Sequence, residues 1–167
     1  MEPAPVRKEV SMMLKKLIEF LDLNHVRYVN VTHSAAFTAQ DVAQSAHISG
    51  KEMAKTVIVW MDGAMGMVVL PASSMIDFNK FKEVSGAKSV ELASESEFKD
   101  RFGECEVGAM PPFGNMFDIR VFVDKSLAED QEIAFNAGSH RELIRMRYED
   151  YVSLVKPVFG SFAIQKK

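Results

Sequence analysis

The sequence predicts a single mixed α/β domain, and three observations lead there. Apolar residues at helical spacing, such as Leu14, Leu17, Ile18 and Leu21, recur between strand-sized runs such as Thr56-Val-Ile-Val-Trp-Met61. The two patterns are interleaved along the chain, which favours one layered domain on a mixed sheet over separate all-α and all-β parts. With 167 residues, 47% hydrophobic and 26% charged, the chain is long enough to bury one sizeable core.

Residues 1–10, with Pro3, Pro5, Arg7, Lys8 and Glu9, read as a flexible tail, and 11–167 as the domain. The first helix carries Leu14 to Leu21. Val29 and Val31, alternating with Tyr28, Asn30 and Thr32, predict a half-buried strand. Thr38 followed by Asp41 resembles an N-cap, with Ala39, Val42, Ala43 and Ala46 as the inner face of a short helix. Ala54 to Met61, the turn Asp62-Gly63 and Met65 to Leu70 form a hairpin. Phe78, Phe81 and Lys82 lie on a helix ending before Gly86, and Lys88 to Leu92 is a strand. Ser94 with Glu97 is a capping box opening a helix that Gly103 closes.

Gly108-Ala-Met-Pro-Pro-Phe-Gly114 is a loop punctuated at both ends. Arg120 to Val123 and Glu132 to Phe135 are strands. Leu143 to Met146 fits a helix or a strand and is read as a strand. Tyr148 to Val155 is the last helix expected, with Pro157 after it.

Several function classes are excluded by what is missing. No apolar run reaches membrane-spanning length, and the N-terminus lacks the apolar core of a secretory signal. The single cysteine, Cys105, permits no intramolecular disulfide and fits a reducing compartment, so the cytoplasm is expected. His25, His33, His47 and His140 show no ligand spacing, and neither a metal nor another cofactor is expected. Glu104 and Glu106 beside Cys105 should raise its thiol pKa and disfavour a reactive thiolate. A net charge of −3 argues against broad phosphate binding and against DNA as a partner.

Three places remain where chemistry could sit. Lys55, on the strand face shared with Val57, Val59 and Met61, either aims an ammonium at a phosphate or carboxylate or snorkels to water. The loop Gly108 to Gly114 either holds stiffened backbone N–H groups against an oxyanion or is an ordinary crossover. Phe135-Asn-Ala-Gly-Ser-His140 gathers an amide, a hydroxyl and an imidazole at a strand exit, where Ser139 is equally readable as a cap and His140 as a surface residue.

Taken in order, Thr38-Ala-Gln-Asp-Val-Ala43, Lys51-Glu-Met-Ala-Lys-Thr-Val57, Val69-Leu-Pro-Ala72, Val107-Gly-Ala-Met-Pro-Pro-Phe-Gly114 and Phe135-Asn-Ala-Gly138 resemble the YbaK and prolyl-tRNA-synthetase-associated editing domains. The resemblance runs from about His33 to Pro157. It implies a strongly curved mixed sheet flanked by helices, and a freestanding enzyme that hydrolyses mischarged aminoacyl-tRNA without metal, cofactor or protein nucleophile. It places the family lysine on Lys55 and the family's G-x-x-x-P loop on Gly108 to Pro112, giving Lys55, Gly108 and Pro112 catalytic parts. It implies substrate contacts from His33, Met110, Pro111, Phe113, Gly114, Asn136, Gly138 and His140. The implied partner is the aminoacyl-tRNA 3′ end, with an aminoacyl-tRNA synthetase as a further candidate. Two alternatives stay open: a non-catalytic module binding an aminoacyl group, and a factor that docks on a synthetase.

Overall fold

The computed structural model describes residues 12–32 and 53–165. Helix α1 (Met12–Leu23) leads to β1 (Tyr28–Thr32). The hairpin β2 (Ala54–Met61) and β3 (Ala64–Pro71) follows, then β4 (Ser74–Ile76), α2 (Phe78–Ser85), β5 (Val90–Leu92) and a four-residue helix α3 (Glu95–Phe98). After the loop come β6 (Arg120–Asp124), β7 (Glu132–Asn136), β8 (Glu142–Arg147), α4 (Tyr148–Val155), β9 (Val158–Gly160) and β10 (Ala163–Gln165). The helix expected around Thr38 to Ala46, together with His33 and Lys51, lies outside the described residues.

A five-stranded sheet of order β5-β2-β3-β6-β9 and a three-stranded sheet of order β1-β8-β7 make the frame, with β10 and β4 paired apart. Pairing is antiparallel except for β3 with β6 and β6 with β9, so the sheet is mixed, as expected. A parallel bridge between Met53 and Ala134 joins the two sheets at the start of β2. The outer edge of β2 is therefore shared: β7 meets it at Met53 and β5 at Val59 to Met61.

The β2–β3 turn has positive φ at both Asp62 (50°) and Gly63 (84°), the geometry whose twist matches paired strands. The Asp62 carboxylate accepts from the Lys88 and Ser89 N–H groups and fixes the approach to β5. Both faces of the hairpin are covered, which is why its apolar run is nearly continuous. Ala54, Ile58, Met67 and Val69 join the core of α1, where Met13, Leu14, Leu17 and Leu21 are buried. On the other face Val59, Met61, Val68 and Leu70 pack with Phe81 of α2, Phe122 and Phe162.

Tyr148–Val155 is the last helix among the described residues, as expected, and two strands that no sequence signal announces, β9 and β10, follow it. Each is three residues long, too short for alternation to register. In β1 it is not both valines that turn inward: Val29 is 47% exposed, whereas Tyr28 and Val31 pack against buried clusters. Among the described residues β1 pairs only with β8 and so stands at a sheet edge, where one-sided burial is weak.

Candidate active site

Residues 105–112 and 136–140 form two adjacent loops tied to each other through their backbones. The Glu106 N–H donates to the Gly138 carbonyl at 2.8 Å, and the Gly138 N–H donates to the Ala109 carbonyl at 2.8 Å. The Ala109 N–H closes a turn on the Glu106 carbonyl at 3.0 Å. Side chains add to this. The Glu106 carboxylate accepts from the His140 N–H at 2.7 Å, and His140 Nε2 lies 2.7 Å from the Val107 carbonyl oxygen. A carbonyl oxygen can only accept, so Nε2 carries the proton and donates.

Gly108 sits at the exposed turn of this arrangement with φ of 84°, a conformation that strains any residue with a Cβ. A Cβ there would also come within 3.4 Å of the His140 ring. Among the described residues no group accepts from the Gly108 N–H.

Beyond Gly108 the loop dives inward. Met110, Pro111, Pro112, Phe113 and Gly114 are all buried. The Phe113 ring, fully buried, packs edge-on against Phe20, Phe135 and Tyr151. Gly114 is held by packing, since a Cβ would collide with Ile119 and Val121. Phe113 and Gly114 thus occupy the core beneath the loop and not its open side, because the loop must cross a closed aromatic cluster to reach β6.

Tyr151 is the residue the sequence reading missed. Its hydroxyl donates to the Pro112 carbonyl at 2.7 Å from a fully buried position on α4. Burial, then the neighbouring Tyr148, pushes its pKa well above the usual phenol value, so it remains a donor. The spacing of Tyr148, Tyr151 and Val155 marks the buried face of α4, and a buried phenol needs a partner. That signal was available, though not the identity of the partner.

Lys55 is placed by the sheet. The parallel Met53–Ala134 bridge sets the start of β2, which carries Lys55, against β7, which ends at Asn136. Buried Met53, Ala134 and Leu143 cluster there, with Val31 and Ala72 at the margin. The opposite face of β7 carries Ile133 and Phe135 into the main core. The hydrogen bonds above bring Gly108, Gly138 and His140 together, Asn136 ends the strand that leads into them, and His33 lies outside the described residues.

A cleft of about 300 Å³ runs behind the loop, lined by Phe98, Phe102, Cys105, Val107 and Met110 among others. Burial, then Glu104, pushes the Cys105 thiol up to about 12. Glu106, also expected to contribute, is not among the causes, and burial leads. A larger cleft of about 820 Å³, lined by Asp130, Glu132, Arg147 and Tyr148, lies at the far ends of β7 and β8. It contains none of the loop residues.

The family model for the aminoacyl-tRNA editing domain matches residues 33–154. A protein of Escherichia coli K12 named multifunctional Ser/Thr-tRNA deacylase ProXp-y is 26% identical over 157 residues, 91% of this chain and 93% of the relative. A proline--tRNA ligase of Bacillus mycoides is 30% identical over 89 residues, 53% of this chain but 16% of the ligase. Among solved structures, a candidate trans-editing enzyme for prolyl tRNA synthetase superposes with a TM-score of 0.80 at 17% identity, over 95% of this chain and 100% of that one.

Proposed function

The chain belongs to the aminoacyl-tRNA editing domain family and is an aminoacyl-tRNA deacylase acting in trans, and we propose how its loops and Lys55 carry out that reaction. Water adds to the ester carbonyl carbon; the bond from that carbon to the ribose oxygen breaks. The ribose oxygen takes up a proton, leaving a free amino acid and a tRNA with its terminal adenosine intact. The observation that carries this reading is the Gly108 N–H, exposed and, among the described residues, without an acceptor on a loop whose neighbouring peptides are bonded. Such a group is held ready for the oxyanion that forms as water adds. Lys55 holds the anionic or adenosine end of the substrate, with Asn136 at the end of β7 as a further contact.

The attacking water is oriented by the substrate. The free hydroxyl next to the ester on the terminal ribose is already at the reacting centre, so positioning replaces an encounter. Among the described residues no group of three or more His, Cys, Asp and Glu is placed to hold a metal, and the reaction as proposed needs none. Delivery of the tRNA by an aminoacyl-tRNA synthetase, and residence in the cytoplasm, complete the reading.

Deacylation of a panel of mischarged tRNAs tests it, beginning with seryl- and threonyl-tRNA because of the deacylase relative. Turnover should be seen with at least one member. A matching tRNA whose terminal ribose lacks the neighbouring hydroxyl should bind about equally and turn over far more slowly. Normal turnover of the deoxy substrate would overturn the substrate-assisted step.

A further inference from the structure

We infer that His140 is a positioning residue that, with Glu106, aims the Gly108 N–H at the substrate, and that it is not the general base; this rests on the deacylase reading above. A planar trans peptide points its C=O and N–H in opposite directions. The Val107 carbonyl and the Gly108 N–H belong to one such unit, so fixing one fixes the other. His140 Nε2 fixes the carbonyl at 2.7 Å, which turns the Gly108 N–H away from the imidazole and toward open solvent.

The imidazole is itself held. Its backbone N–H donates to the Glu106 carboxylate at 2.7 Å, and the preceding turn is closed by the Arg141 N–H donating to Ser139 Oγ at 3.2 Å. Glu106 also donates its own N–H to the Gly138 carbonyl, so the acid that grips His140 is anchored to the loop from which His140 projects. Gly108 completes the fit through its φ of 84°, a backbone turn that a residue with a side chain rarely adopts. A base must present a bare nitrogen to water. Here the nitrogen that reaches the loop, Nε2, is occupied as a donor, so the ring's bare nitrogen is Nδ1 and not the one that faces Val107 and Gly108.

Two variants separate positioning from base catalysis. His140→Ala removes the donor, and kcat should fall on the order of a hundredfold, the size of losing one oxyanion contact, with KM little changed. His140→Gln replaces the Nε2 donor with an amide N–H and should recover most of that loss. If His140→Gln is folded and as inactive as His140→Ala, or if His140→Ala is folded with near-normal kcat, the assignment is overturned. A long-range ¹H–¹⁵N spectrum of the wild-type imidazole provides a readout independent of turnover. Protonated Nε2 is expected at neutral pH, whereas a neutral ring protonated on Nδ1 would overturn the proposal. Absence of turnover on every aminoacyl-tRNA in the panel would instead sink the deacylase reading, with the spectrum still deciding the tautomer.

Discussion

Replacing Lys55 by alanine removes one charged contact from the start of β2 while leaving the strand's pairing with β3 in place. A charged hydrogen bond of about 1.5–3 kcal/mol would then be missing, roughly a ten- to hundredfold loss in kcat/KM. Melting beside the wild type distinguishes this from unfolding, and a stable variant with near-normal turnover would remove Lys55 from the site. At Gly108 a valine would need φ of 84° and would press a branched side chain toward His140. Gly108→Val should lower kcat by about a hundredfold through the displaced amide, while stability falls by only ~1–3 kcal/mol of backbone strain. An unchanged rate would place the oxyanion elsewhere. These two residues were visible as types in the sequence, a glycine in a proline-stiffened loop and a lysine on an apolar strand. That the strand of Lys55 starts against β7 was not, because it depends on the parallel bridge between Met53 and Ala134, some eighty residues apart in sequence.

At the level of elements, α4 and β10 each hold part of the frame by one buried polar group. The Tyr151 hydroxyl on α4 satisfies the Pro112 carbonyl. Tyr151→Phe keeps the ring contacts and strips the donor, so a buried acceptor is left unpaired, at about 1–3 kcal/mol. The melting temperature should drop by about 2–4 °C for each kcal/mol lost, and deacylation should weaken with it because the loop is supported there. An unchanged melting temperature would mean that water replaces the phenol. Asp124, at the end of β6, accepts from the Phe162 and Ala163 N–H groups and from Ser126. Burial raises its pKa, but these hydrogen bonds outweigh burial and hold the carboxyl below its usual range. A lowered folded pKa means stability that is present above the unfolded value of about 3.9 and lost as pH falls through the folded one. Melting followed from pH 5 downward should show this loss, and Asp124→Asn should flatten it while lowering stability at neutral pH. An acid limb unchanged in the variant would assign the effect to other carboxylates. Helix periodicity and the Asp62-Gly63 turn made α1, α2 and the hairpin legible in advance. The clamp on β10 was not, since a three-residue strand carries too few positions for any period to show.

For the molecule as a whole, net charge governs how tRNA is met. With a net charge of −3, bare tRNA should bind weakly, and its affinity should fall as salt rises if phosphates are met by a local patch around Lys51, Lys55, Lys80 or Lys82. Binding measured across a salt series decides this, and tight binding indifferent to salt would contradict delivery by a partner. The sequence by itself determined the fold class, the hairpin, the loop's limits and the family likeness, because turns, caps and apolar periods are local and each is written within a dozen residues. Only the tertiary structure decided which side of the loop is core and which is site. Phe113 and Gly114 look as available as Gly108 in a string of letters, yet an aromatic cluster drawn from α1, β7 and α4 buries Phe113, and Ile119 and Val121 close over Gly114. His140 likewise reads as a surface residue or a base until the fold brings Val107 beneath its ring, because hydrogen-bond partners distant in sequence are set by packing and not by local pattern.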